Sequence, residues 1–375
     1  MSEKKPINVE IKQINRSNIY RCLFQNGSMT KQKVVSDLEL CLPTVTKNID
    51  ELVNEGLIEK SGSQGNTGGR RAVTYSIVKN ARAALGIDVT NNHVTVVAVD
   101  LAGNIIASSR KRKKFQAEDS YYQYVADVLE QVVYDAGLTK KQILGVGIGL
   151  PALVDADRKR VFCSKIIHLS GTTLDDFARY IPYPIQLFND ANAAAFTEMW
   201  MNHDLKNAFY LMLSNNIGGS VIIDSSMYSG DTLRSGEVGH IRLVPGGKKC
   251  YCGQYGCVDA YLAATNLADM TDGNLALFFE ELKTGNMELE KYWNTYLDYL
   301  AETVNILHVL LDCNIILGGY IGEYLDLYLD DLKSRAALLN TFSQDADYLK
   351  ICSYKKESIA AGAALNFISA CVESV

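Results

Sequence analysis

The segment HIRLVPGGKKCYCGQYGCVDAY begins at His240. It holds three of the chain's nine cysteines within eight residues, Cys250, Cys252 and Cys257, and one of its five histidines. One imidazole and three thiolates are the donor set of a tetrahedral, closed zinc site, which would be structural because no coordination position stays open for Lewis-acid work. Cys250 and Cys252, one residue apart, need a tight turn, and Gly253 and Gly256 permit one. Two other readings use the same residues: free buried thiols, or a redox-active Cys-X-Cys pair beside which the position of His240 is coincidence. Cys22, Cys41, Cys163, Cys313, Cys352 and Cys371 are scattered among apolar neighbours and read as small buried hydrophobes.

A second group with chemical potential lies near the N-terminus, in LPTVTKNIDELVNEGLIEK. Val45, Ile49, Leu52 and Val53 follow helical spacing and predict one buried stripe. Pro43 suits the first turn, Gly56 the end, and Leu42 falls at the N-cap, where a Ser or Asn would be worth about 1 kcal/mol more. The opposite face opens with Thr44, Thr46, Lys47 and Asn48, short hydrogen-bonding groups and a cation suited to base edges and phosphates. Two shorter helical patterns precede it, one through Ile19, Cys22 and Leu23, the other through Val34, Val35 and Leu38 with Thr30 as N-cap. LIEKSGSQGNTGGRRAVTYSIV then reads as strand, glycine-rich turn, strand, with Arg70 and Arg71 in the turn, placed to enter a minor groove. Residues 1–80 together resemble a winged helix-turn-helix.

The elements that must carry these groups follow from length and composition. A chain of 375 residues, 47% hydrophobic and 21% charged, is expected to form more than one domain. No run of 18 apolar residues occurs, so no membrane partner is expected. MSEKKPINVEIKQ lacks the apolar core of a signal peptide, which makes the cytoplasm the expected compartment and reduced thiols the expected state. The net charge of −6 is uneven: residues 1–80 hold 12 Lys and Arg against 8 Asp and Glu, while the remainder carries a net −10. A basic head on an acidic body fits an anionic partner for the head.

In the body, ALGIDVTNNHVTVVAVDLAGNIIASSRKRKKF reads as three strands, YYQYVADVLEQVVYDAG as a helix, and ILGVGIGLPALVD and IILGGYIG as strands running into turns. SIAAGAALNFISA reads as a buried helix, and the alternation predicts an α/β body. ILGVGIGLPALVD, FNDANAAAF, SGEVGH, CYCGQYGCVDAY and IILGGYIG stand in the order of the ROK family, which comprises repressors and sugar kinases, and the whole chain resembles its repressor branch. The resemblance implies an actin-like, two-lobed sugar kinase fold preceded by the winged head. It sets the head at 1–80 and the body at 81–375, with lobes at roughly 81–195 plus the C-terminal helix and at 196–350.

The resemblance also implies a sugar site. Asn189 and Asp190 match the family's sugar-contacting pair, Asp190 being the general base of the kinases, and Glu237 and His240 match its ExGH motif. Asp259 stands where the family usually has glutamate, one methylene longer, and His168 falls at the place of an asparagine that often meets the sugar. Zinc would then fix the His240 ring so that its second nitrogen faces a sugar hydroxyl. The kinases hold ATP phosphates on two glycine turns. Here Asp88 is followed by VTNNH in place of the first, and SNNIGGS from Ser214 replaces the second. Sugar binding without phosphorylation is therefore expected, with no catalytic residue and Asp190 as a ligand contact. The expected whole is a sugar-responsive repressor that binds operator DNA as a homodimer or tetramer and takes a monosaccharide or sugar derivative as effector. An active sugar kinase with a DNA-binding head, and a regulator controlled by a protein partner, are the alternatives.

Overall fold

The computed structural model describes residues 8–64, 72–167, 169 and 171–375. The head opens with α1 (Asn8–Asn26), whose Ile19, Tyr20 and Leu23 are buried. After the two-residue strand β1 (Met29–Thr30), α2 (Lys31–Leu38) is capped by Thr30, whose hydroxyl accepts the Lys33 N–H at 3.2 Å. In α3 (Leu42–Asn54) Val45, Ile49 and Leu52 form the expected inward stripe, and Gly56 turns the chain out of the helix at φ +71°. The N-cap is Cys41, one residue earlier than its sequence suggests. Strands β2 (Ile58–Gln64) and β3 (Ala72–Ile77) pair antiparallel, and β1 completes a sheet of order β1-β3-β2. Three helices and a two-stranded wing are the winged helix-turn-helix arrangement. Its proposed minor-groove residues Arg70 and Arg71 lie outside the described residues.

The body is built on two five-stranded sheets. In the first, β4 (Ala83–Val89), β5 (His93–Asp100) and β6 (Ile105–Arg112) form an antiparallel meander. Helix α4 (Asp119–Asp135) crosses to β7 (Ile143–Leu150), parallel to β4; the small hairpin β8 (Leu153–Val154) and β9 (Val161–Cys163) and helix α5 (Leu174–Ala178) precede β10 (Ile185–Asn189), parallel to β7. Every residue of β4 is buried, as expected of a strand covered on both faces. Helix α6 (Asp190–Met201) leads to the second sheet, made of β11 (Ala208–Leu213), β12 (Ile217–Ile223), β13 (Ser226–Tyr228), β14 (Asn314–Gly318) and β15 (Leu349–Ile351) in the order β13-β12-β11-β14-β15. Between β13 and β14 come the cysteine loop and helices α7 (Asp259–Leu262), α8 (Ala264–Ala268), α9 (Leu275–Lys283) and α10 (Met287–Leu311); α11 (Gly319–Gly322) and α12 (Leu329–Leu339) precede β15.

The C-terminal helix α13 (Ser358–Ser374) lies with α6 between the two sheets. Small residues allow this. A Cβ on Gly362 would stand 1.7 Å from the Ala193 carbonyl oxygen of α6, and one on Gly86 of β4 would stand 1.8 Å from that of Ala360. The end of α13 also holds the head: the Arg16 Nε–H of α1 donates to the Val375 carbonyl at 3.0 Å, and Gln13 Nε2 to that of Ser374 at 3.0 Å. No described helix is long and apolar enough to cross a membrane.

Candidate functional site

The cleft between the sheets, about 260 Å³, is lined by the segment that follows β7, by the ends of β10 and β12 and by the 3-10 turn Val238–His240. Asn189 ends β10 and caps α6: its Oδ1 accepts the Asn192 N–H at 3.0 Å, while its Nδ2 donates to the Ala152 carbonyl at 3.2 Å and to Asp190 Oδ1 at 3.1 Å. Asp190 begins α6, and its Oδ1 also accepts the Ala191 N–H at 2.8 Å. Its carboxyl stays partly accessible through the cleft but is crowded by protein on its other sides. Burial, and then the charges of Asp88 and Glu237, push it up to about 7. Glu237 faces the same space, raised by burial and pulled down by Lys165 and Arg234. Hydroxyl-rich ligands suit such a ring of carboxyl, amide and cationic groups, because each hydroxyl both donates and accepts.

The sequence-expected residues Asn189, Asp190, Glu237 and His240 therefore meet at one cleft. Asp259 does not line it. The residue is buried, and its Oδ2 accepts the Ile217 N–H at 2.7 Å, so the short side chain braces the turn that starts β12 instead of reaching a ligand. His168 lies outside the described residues. Lys165, Arg234 and Tyr251 line the cleft and were missed by sequence reasoning. Arg234 lies three residues before Glu237 and Lys165 three residues before His168, so both neighbourhoods were marked but the cations themselves were passed over.

Asp88 of β4 is buried deeper between the sheets. Burial pushes it up to about 7 against the pull of Arg110, and its Oδ1 has no hydrogen-bond partner among the described residues. Both aspartates titrate near 4 when unfolded. Folded, each keeps its proton between pH 4 and 7 where the unfolded chain has lost it, so the stability they contribute is full below pH 4 and lost as pH rises through 7. The ligand-free protein is expected to lose on the order of 3 kcal/mol per aspartate between pH 5 and 8 from this source. Urea melts across that range should flatten in Asp88→Asn and Asp190→Asn; an unchanged slope in both variants would refute the assignment.

Beside the cleft, the ligand atoms of His240, Cys250, Cys252 and Cys257 all lie within 4.8 Å of one another. Cys252 Sγ and Cys257 Sγ are 3.8 Å apart, and Cys250 Sγ is 4.0 Å from His240 Nδ1. Tetrahedral zinc with bonds of about 2.3 Å sets two thiolates about 3.8 Å apart, so the donor set and its spacing fit a metal ion. Gly253 and Gly256 take φ +92° and +80°, and a Cβ on Gly256 would stand 1.7 Å from the Val244 carbonyl oxygen. Burial and Lys165 hold His240 below its ordinary value, which favours the neutral ring a metal needs. With Nδ1 turned to the cysteines, Nε2 faces Tyr251 Oη at 3.4 Å and Glu237 Oε2 at 3.9 Å. A metal ion held there would orient a group that borders the cleft.

On the head, Lys47 is exposed and Thr44 and Thr46 are half-buried at the start of α3. Asn48 is not on that face. It is 2% exposed, and its Nδ2 donates to the Thr44 carbonyl at 2.8 Å. Its position, three after Val45 and four before Leu52, lies inside the buried stripe, which is where the structure puts it.

The model of the ROK family matches residues 84–369. The xylose repressor of Bacillus subtilis (strain 168) is 27% identical over 255 residues, covering 67% of this chain and 66% of that protein, so the match spans just under two thirds of that relative. A crystal structure of a ROK family transcriptional regulator, a homologue of the Escherichia coli MLC protein, superposes with a TM-score of 0.74 at 22% identity over 97% of each chain. A ROK family glucokinase from Streptomyces griseus, in complex with glucose and AMPPNP, superposes with a TM-score of 0.65 at 22% identity over 76% of this chain and 98% of that one. These likenesses establish the fold as the α/β, actin-like sugar kinase architecture preceded by a winged head.

Proposed function

The chain belongs to the ROK family, and from that premise we propose that it is a sugar-responsive transcriptional regulator, a repressor of sugar-uptake or catabolic genes. The observation that carries this reading is the union, in one chain, of a winged head with a cleft where Asn189, Asp190, Glu237 and His240 converge. Residues 1–80 are the DNA-binding domain and 81–375 the effector body, working in the cytoplasm. Thr44, Thr46 and Lys47 present α3 to the major groove of an operator, and Arg70 and Arg71 reach the neighbouring minor groove. Two heads of a homodimer or tetramer read half-sites about 34 Å apart. His240, Cys250, Cys252 and Cys257 hold a structural zinc ion, which keeps the His240 ring aimed at the sugar.

The turn after Asp88 supports binding without phosphorylation. Thr90 and His93 close it on each other, the Thr90 N–H to the His93 carbonyl at 2.9 Å and the His93 N–H to Thr90 Oγ1 at 3.0 Å. Those amides are spent on the hairpin, and Thr90 and Asn91 stand where glycines would let the backbone meet a phosphate. Closure of the cleft on a sugar moves the two sheets relative to each other and, through α13, the head. A sugar that favours the closed state by a few kcal/mol releases the operator.

Calorimetric titration with a monosaccharide panel, alongside an ATP turnover assay, tests this reading. One sugar should bind, at least tenfold more weakly to Asp190→Asn, with no phosphate transfer. Phosphorylation that Asp190→Asn abolishes would make the protein a kinase with a DNA-binding head. A response only to a transporter domain would make it a partner-controlled regulator.

A further inference from the structure

The sugar cleft opens into a larger cavity. Leu153, Asn189 and Glu237 line both, and the second space, about 690 Å³, runs on to helix α1 of the head. Ligand cavities usually fall between about 300 and 1,000 Å³, so the cleft alone is small and its neighbour is full-sized. The walls of the larger space combine aromatic faces with hydrogen-bond donors. Phe188 and Trp200 come from the body and Phe24 from α1, with the Phe24 and Trp200 rings 5.3 Å apart at 70°.

Two arginines line it without a carboxylate partner among the described residues. Arg158 is held by neutral amides, Gln186 and Asn366, each at 3.2 Å, and lies 4.5 Å over the Phe188 ring. Arg21 of α1 donates to Asn18 Oδ1 at 2.9 Å, while its Nε is buried with no acceptor among the described residues. A buried donor without an acceptor is costly; because this Nε is sealed from the cavity, a ligand oxygen would meet the terminal amino groups of the same guanidinium. Two of the cavity's carboxylates are engaged elsewhere: Asp155 accepts the Lys159 and Arg160 N–H groups at 2.7 and 3.1 Å, and Glu373 accepts the Ser369 hydroxyl at 3.2 Å. Glu237 belongs to the sugar cleft.

We propose that the effector is a glycoside of at least two sugar units. The first sits in the cleft at Asn189 and Asp190. The second sits in the adjoining cavity, where Arg158, Phe188 and Trp200 of the body and Arg21 and Phe24 of the head meet it, so the ligand touches the DNA-binding head directly. This rests on the sugar-binding reading above. Aromatic rings offer flat apolar faces to a pyranose, and guanidinium groups donate to its hydroxyl and ring oxygens.

The test titrates the full, metal-loaded protein with xylose and glucose, and with xylobiose, cellobiose and maltose, while following tryptophan fluorescence. A disaccharide should bind at least tenfold more tightly than its monosaccharide. Arg158→Ala should remove that gain and leave monosaccharide affinity within twofold, which also shows that the variant folds; Phe24→Ala should reduce the gain. Because Trp200 lines the cavity and the chain's other tryptophan, Trp293, is a core residue, the disaccharide should shift emission more than the monosaccharide. Monosaccharide and disaccharide binding equally well would overturn the inference and leave the sugar reading intact. Binding of inorganic phosphate alone, lost in Arg158→Ala, would make the cavity an anion site and overturn it too. No binding by any sugar would sink the sugar reading and this inference together.

Discussion

Cys257→Ser is expected to abolish stoichiometric metal binding and to destabilise the body by more than about 3 kcal/mol. Structural zinc contributes folding free energy outright, on the order of 10 kcal/mol in small zinc peptides. Here the cysteine loop is otherwise held by backbone hydrogen bonds, among them the Gly256 N–H to the Lys248 carbonyl at 2.8 Å and the Leu243 N–H to the Gly256 carbonyl at 2.8 Å, with no helix or long strand of its own. Its backbone is pinned by the Cys250 N–H to the Gln254 carbonyl at 2.8 Å and by isolated bridges pairing Lys249 with Tyr255 and Arg242 with Cys257. With the metal gone, His240 loses the partner that fixes its ring, and Glu237 loses a fixed neighbour 3.9 Å away. Sugar affinity should therefore fall by about 10- to 100-fold, the range seen when groups that orient a ligand are removed. Metal analysis, guanidinium melts and sugar titration on one preparation check all three effects. A wild type that is metal-free at full stability would defeat the zinc assignment.

Gly362→Val is expected to be at least as damaging, costing about 3 kcal/mol or more, at the upper end of what overpacking usually costs. The added carbon would stand 1.7 Å from a backbone oxygen, which no rotamer change can relieve. Nor can α13 back away. On its other side it meets β4 and β7, where a Cβ on Gly147 would stand 2.2 Å from the Ala363 carbonyl oxygen. The strain falls on α6, which begins at Asp190 and carries Trp200 in its last turn, so sugar binding and the contact with Phe24 of the head should suffer together. The guanidinium midpoint and sugar affinity of the variant are the measurements. A midpoint within error of wild type would mean that the two helices are less tightly packed than described.

These effects also mark how far the sequence reached. The cysteine loop was legible as a cluster because its residue types are rare, and the structure brings all four donors within 4.8 Å of one another. The strands of the first sheet and the wing were legible because apolar runs alternate with turn residues. Helix α3 was legible as a helix, yet Asn48 was assigned to the wrong face: its amide invites a DNA contact, while its spacing from Val45 and Leu52 places it with the core. Asp259 was assigned to the ligand because its neighbours fit a motif. Only the three-dimensional position of Ile217, 42 residues away, reveals what its carboxylate holds. The larger cavity was invisible for the same reason. Arg21, Arg158, Trp200 and Asn366 come from four distant parts of the chain, and no local pattern announces that α1, α6 and α13 bring them together.

The central claim is that one chain couples a sugar cleft to a DNA-binding head. Fluorescence anisotropy of the purified protein, on DNA from upstream of its own gene and of neighbouring sugar operons, tests it most directly. Titrations at two salt concentrations, with and without mono- and disaccharides, separate phosphate contacts from the sugar response. Tight, salt-dependent binding to one site, weakened at least tenfold by one sugar and left unweakened by that sugar in Asp190→Asn, is the predicted result. Binding to that site unmoved by every sugar, or no site preferred over unrelated DNA, would contradict it.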